Sequence, residues 1–146
     1  MKNIIDVVNS VREFNRFYTV VIGILNGNFL NTEYSVAESR IFFELLSNGK
    51  STANELTEKL KMDKSYMSRI LKSFEKKGFI KREVSSADRR SLYIYLTEAG
   101  KQKATELVDV TNKQIMGIVK PLSNEERMEV IASMNTIMRL FSKNIK

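Results

Sequence analysis

Apolar positions recur at three- and four-residue intervals over most of this chain and at two-residue intervals over one short stretch, so helices with a small strand element are predicted. Ile4, Val8, Val11 and Phe14 or Asn15 predict a helix over Ile4 to Asn26, apolar nearly all round from Phe17 to Leu25. A helix of that kind must be covered on more than one side. Gly27 closes it, and FLNTEY after it reads as a linker. Ser35 with Glu38 has the form of a capping box before VAESRIFFELLSN, where Val36, Ile41 or Phe42, Leu45 and Leu46 face a core and Gly49 is the stop. Thr52 with Glu55 opens a short helix carrying Leu56 and Leu60, and Lys61 and Met62 make a turn. Asp63 then caps a helix that runs to Lys77 and stops at Gly78, with Met67, Ile70, Leu71 and Phe74 inward.

The period changes to two after Gly78. Phe79 to Val84 and Leu92 to Leu96 read as strands, Tyr93 and Tyr95 alternating with Leu92, Ile94 and Leu96. The loop between them, SSADRRS, lacks the glycine or asparagine of a tight hairpin and presents Asp88, Arg89 and Arg90 on a longer tip. Thr97 reads as the N-cap of a helix from about Glu98 to Lys120, which Pro121 breaks. Ser123 with Glu126 opens a last helix to about Lys143, with Met128, Ile131, Met134 or Asn135, Met138 and Phe141 at helical spacing.

The predicted fold is therefore mainly α with a small β-hairpin wing: a winged helix-turn-helix flanked by long N- and C-terminal helices. The whole chain, 1–146, forms one unit, with the winged part at 34–97 and the helical parts at 1–33 and 98–146. A wing domain of this size cannot cover the broad stripes of both terminal helices, which predicts a two-fold dimer. Ile4, Ile5, Val8, Val11, Ile115, Ile118, Val119, Ile131, Met134, Met138 and Phe141 are expected near that interface. A purely intramolecular four-helix core is the alternative.

Composition narrows the chemistry. The sequence has no cysteine and no histidine, which excludes a disulfide framework and leaves only carboxylates for a zinc or copper site. No cofactor and no metal are expected, and no enzyme, since a glycine-rich phosphate loop and a Ser/His or Cys/His pair are both missing. The six glycines read as scattered at helix ends and turns. No signal peptide and no membrane-length apolar run is present, so a cytoplasmic protein with no membrane partner is expected.

Charge points to a partner. The chain carries +7, and Lys59 to Arg90, with eleven Lys/Arg and four Asp/Glu, holds all of that excess. A charge run is often only a solvated face, but an excess confined to this motif is what a polyanion-binding face produces. Ser65, Tyr66, Ser68 and Arg69 are candidates for a major groove of double-stranded DNA, with Lys64 and Lys72 on phosphates. Tyr66 could instead pack beneath the helix with Met67 and Ile70. On the wing, Arg90 suits the minor groove and Arg89 a phosphate, with Asp88 orienting an arginine by a charge-assisted pair.

ELTEKL, DKSYMSRILKSFEKKGFIKR and DRRSLYIYLTEAGK, within Glu55 to Gly100, resemble the MarR family of dimeric bacterial transcription regulators. The wing followed by Leu96-Thr97-Glu98-Ala99-Gly100 is the specific part, and Tyr66 is bulky for its position. The resemblance implies a homodimer formed through the terminal helices and acting on a palindromic operator as a repressor released by a small molecule. It also implies an effector pocket where those helices meet the wing domain, which Phe14, Phe17, Tyr18, Phe42 and Phe43 could line, although such residues are more often core. Arg12, Arg16 or Arg40 nearby would suit an anionic aromatic compound. The competing reading is a winged-helix module without sequence choice, either architectural on DNA or an adaptor for protein.

Overall fold

The computed structural model describes residues 3–26, 34–84 and 90–145. Their helices are α1 (Ile4–Asn26), α2 (Val36–Asn48), α3 (Ala53–Leu60), α4 (Lys64–Lys76), α5 (Glu98–Val119) and α6 (Asn124–Phe141). The strands are β1 (Lys50–Thr52), β2 (Ile80–Val84) and β3 (Leu92–Leu96), in an antiparallel sheet of order β1-β3-β2. The architecture is mainly α with a small sheet, as the pattern predicts. β1 is the addition: three residues are too few to display a period of two. Gly27, most of the expected linker, and Ser85 to Arg89 at the wing tip fall outside the described residues.

Local chemistry sets the helix ends. The Ser35 hydroxyl accepts from the Glu38 amide at 3.2 Å while the Glu38 carboxylate accepts from the Ser35 amide at 3.0 Å, and Gly49 at φ 84° ends α2. At α3 only half of the expected box forms. Thr52 Oγ1 accepts from the Glu55 amide at 3.1 Å, but the Glu55 carboxylate turns to Ser51 Oγ at 3.2 Å instead. Lys61 at φ 52° makes the turn, and Asp63 Oδ2 accepts from the Tyr66 amide at 2.9 Å to start α4. Each such cap contributes about 1 kcal/mol.

The core lies between α2, α3, α4 and the sheet. Ile41, Phe42, Leu45, Leu56, Met67, Leu71, Phe74 and Ile94 are sealed from solvent, each to within 1%. Phe42 and Phe74 stack at 4.3 Å, and the rings of Tyr34 and Phe79 meet both of them edge-on. Tyr34, expected in the linker, is thus a core residue. Val36, Leu46 and Leu92 correct the expectation in the other direction and are exposed. In Val36 and Leu46 the helical period was read one position too wide, while Leu92 lies at the outer end of β3.

The described chain divides into compact units at 1–110 and 111–146. The boundary falls inside α5, whose Gly100, Ala104 and Leu107, all on the near side of it, are buried. Thr97 fastens that end of α5: its hydroxyl donates to the Gly78 carbonyl at 2.5 Å and accepts from the Gly100 amide at 3.1 Å. Gly23 and Gly117 lie within helices rather than at turns, while Gly100 is in the first turn of α5. In the second unit α5 stops before Pro121, and Arg127 donates to the carbonyls of Val119 at 3.0 Å and Lys120 at 2.7 Å, satisfying helix-end acceptors. Ser123 and Glu126 form the expected reciprocal box at the start of α6. Among the described residues no helix is long and apolar enough to cross a membrane.

Candidate nucleic-acid interface

The two faces of α4 have opposite fates. Met67, Ile70, Leu71 and Phe74 are buried, and each such side chain contributes about 1.5 to 3 kcal/mol by leaving water. The rotation of the helix about its own axis is therefore fixed. With that face inward, Lys64, Ser65, Tyr66, Ser68, Arg69, Lys72 and Lys76 are all exposed. Tyr66 is 36% exposed and carries the Arg69 guanidinium 5.5 Å from its ring centre, so it does not pack beneath the helix with Met67 and Ile70. The outer face offers cations, hydroxyls and one aromatic ring in a continuous row, the chemistry that phosphates and base edges require.

The wing rises beside α4. Arg90 is exposed at the base of β3, next to Ser91, while Asp88 and Arg89 lie outside the described residues. Arg82 was not singled out by sequence reasoning. It is paired in register with Ile94, which is fully buried, so it stands on the core side of the sheet. Its Nε lies 3.2 Å from Glu75 Oε2 on α4, although the N–H does not align on that oxygen as a hydrogen bond would. A charge in an inward strand position was the available signal: in IKREV the period of two puts Arg82 with Ile80. Two cavities adjoin Arg82. One of about 150 Å³ lies among Ala53, Thr57, Met67, Leu71 and Arg82, and one of about 220 Å³ among Thr52, Asn54, Arg82, Arg90 and Leu92.

The interface candidates on the terminal helices are open to solvent in the single chain. Ile4, Ile5, Val8, Ile115, Ile118, Ile131, Met134, Met138 and Phe141 are exposed and Val11 and Val119 half-buried. No residue of α6 is buried within one chain. The aromatic set separates. Phe14 and Tyr18 stack at 5.5 Å on α1, Phe17 is exposed and Phe43 half-buried, whereas Phe42 is sealed in the core. Phe42 therefore cannot line an effector pocket, because its ring is already covered by Phe74, Phe79 and Tyr34. Among the described residues no group of three or more acidic side chains could hold a metal ion.

Residues 34–91, from the buried Tyr34 to the base of β3, match the MarR family model. The uncharacterized HTH-type transcriptional regulator YfiV of Bacillus subtilis is 26% identical over 111 residues, covering 76% of this chain and 69% of that protein. Among solved structures, a MarR family protein from Bacillus stearothermophilus shares the fold with a TM-score of 0.82 at 15% identity, over 97% of this chain and 99% of that one. A second similar structure concerns regulation of DNA binding of Bordetella bronchiseptica BpsR by 6-hydroxynicotinic acid, with a TM-score of 0.69 at 15% identity over 86% of this chain and 90% of that one.

Proposed function

We propose that the chain is a transcription regulator of the MarR family, whose model it matches over residues 34–91, and that it binds double-stranded DNA sequence-specifically, as a two-fold homodimer on a palindromic operator. The carrying observation is the outer face of α4: its rotation is fixed by four buried side chains, and Lys64, Ser65, Tyr66, Ser68, Arg69, Lys72 and Lys76 are exposed. Ser65, Tyr66, Ser68 and Arg69 enter the major groove, and Lys64 and Lys72 hold phosphates. Arg69 is the base reader, since a guanidinium can pair with both O6 and N7 of guanine. Arg90 enters the minor groove, with Arg89 on a phosphate and Asp88 orienting an arginine.

Dimerisation is supported by the terminal helices. The exposed Met128, Ile131, Met134, Ile137, Met138, Leu140 and Phe141 leave α6 with an apolar surface that water would penalise. A second copy covers it, and two recognition helices then meet successive major grooves, which is why the operator is palindromic. The proposed role on DNA is one carried out in the cytoplasm, and that is the location proposed for the protein.

A repressor released by a small molecule is the regulatory form proposed. Its ligand class is an anionic aromatic, supported by Arg12, Arg16 and Arg40 and by the chemistry of the aromatic acid that regulates BpsR. The effector site draws on Phe14, Phe17, Tyr18 and Phe43. Selection of bound fragments from the source genome, followed by footprinting, tests the reading. A palindromic footprint and a large preference over random DNA are expected; equal binding to both indicates an architectural protein, and binding to neither a protein adaptor.

A further inference from the structure

Arg82 occupies a position where an apolar side chain would ordinarily sit. Its register partner Ile94 is fully buried, and along β2 only Ile80, at the root of the strand, is buried with it. Lys81, Glu83 and Val84 are exposed, so in the outer half of β2 it is Arg82 that faces inward. There it meets Glu75 across 3.2 Å, the arginine side chain keeping 25% of its surface and the glutamate 48%. Close packing alone does not fix the wing at this point, because open clefts of about 150 and 220 Å³ adjoin the arginine. What spans the gap is the ion pair.

We propose that Arg82, through Glu75, is a positioning residue that holds the wing strand at a set angle to the recognition helix, so that the two reach adjacent grooves in register. The inference rests on the DNA-binding reading above. An apolar residue would fill the space more cheaply, since an inward charge loses hydration. It would not tie β2 to α4 by charge, as Arg82 and Glu75 do across 3.2 Å. Arg82 also lines the same cavity as Arg90, so a shift of β2 is felt at the residue assigned to the minor groove.

The test uses the full chain and the site that the wild-type protein selects from genomic fragments. If the wild type selects none, the DNA-binding reading fails and the wing question does not arise. If it does, Glu75→Gln and Arg82→Gln are compared by affinity over a salt series, hydroxyl-radical footprinting and guanine-N7 protection, with circular dichroism as the folding check. Each variant should weaken operator binding by about two- to fivefold. Minor-groove protection at the flanks should fade while guanine-N7 protection at the centre of each half-site persists, and the double variant should be no worse than the weaker single. Glu75→Gln carries the sign. It removes a negative charge beside DNA, so plain electrostatics predicts tighter binding; unchanged or tighter binding with full flank protection would overturn the proposal. So would a silent Glu75→Gln beside an Arg82→Gln whose salt slope drops by about one contact, which makes Arg82 a phosphate ligand. Should Arg82→Gln not fold, the half-exposed Glu75→Gln carries the decision alone.

Discussion

Replacing Gly100 by alanine pits two elementary effects against each other. Gly100 lies in the first turn of α5, where helix propensity alone favours alanine by about 1 kcal/mol. A Cβ built there, however, stands 2.0 Å from the Phe79 carbonyl oxygen and 3.1 Å from Leu96 Cδ2. Ordinary carbon-oxygen contact needs roughly 3.3 Å, so α5 and the Phe79 backbone must separate by more than 1 Å. That carbonyl already accepts from the Thr97 amide at 2.9 Å, and Thr97 Oγ1 donates to the Gly78 carbonyl at 2.5 Å. Separation strains both bonds. Overpacking costs about 1 to 3 kcal/mol and a lost hydrogen bond about 1 kcal/mol more. After the propensity gain, Gly100→Ala should destabilise by about 1 to 3 kcal/mol.

Gly117→Ala is the matched control, since nothing lies within 4 Å of its Cβ in the single chain. There the propensity term should act alone and stabilise by up to about 1 kcal/mol. Urea unfolding at one fixed protein concentration measures both, because the midpoint of a dimer depends on concentration. A Gly100→Ala protein as stable as the wild type would refute the close approach of α5 to Phe79. If Gly117→Ala fell in stability only at concentrations where the protein is dimeric, Gly117 would lie against the second copy.

Other expectations concern charge, assembly and pH. Lys72→Ala should lower affinity alike for operator and random DNA and flatten the salt dependence, whereas Arg69→Ala should blur the preference at particular base pairs at a cost of about 1 to 3 kcal/mol; binding measured across a salt series on both DNAs separates them. Ile131→Asp with Met138→Asp, at positions 53% and 58% exposed in one chain, should sediment as a folded monomer and lose tight operator binding; a dimer would exclude this face. Hydrogen bonds from the Ser123 backbone and side chain hold the Glu126 carboxyl below its ordinary value. A depressed carboxylate contributes stability above its unfolded value and loses it as pH falls through the folded one, so an NMR titration should show Glu126 ionising early and Ser123→Ala returning it toward normal.

Most of the fold was legible because its signals are local. Ser35 with Glu38, Asp63, Ser123 with Glu126 and Pro121 each act within one helical turn, and each sits at or beside the helix end it was expected to make. The inner face of α4 was legible for the same reason: four apolar residues at helical spacing admit one buried side. What escaped depends on partners distant in sequence. Tyr34 is core only because Phe42, Phe74 and Phe79 surround it. Glu55 satisfies Ser51 rather than its own helix start, a choice set by where β1 pairs with β3. Arg127 closes the end of α5 from the start of α6, although its sequence position suggests only a solvated cation. At the candidate site the outward residues of α4 followed from the inward ones, while Arg82 required the strand register.

The pairing of Arg69 with Tyr66 bears on how one helix can supply both affinity and choice. A lysine drawn to a phosphate needs no fixed direction, because a compact ammonium donates equally well from many rotamers. A guanidinium reading O6 and N7 of guanine must present two N–H groups in one plane. Freezing a free arginine into that plane costs about 2 kcal/mol of side-chain entropy, which would cancel much of the discrimination gained. With its guanidinium 5.5 Å from the Tyr66 ring centre in the unbound protein, Arg69 has surrendered part of that freedom beforehand, for an attraction of about 0.5 to 1 kcal/mol at an exposed site. The bulk of Tyr66 then has a use that packing beneath the helix would not give it. On the proposed reading it would provide a flat surface on the outer face of α4 that restrains Arg69 for a base edge, while Lys64 and Lys72, proposed at phosphates, would need no such support.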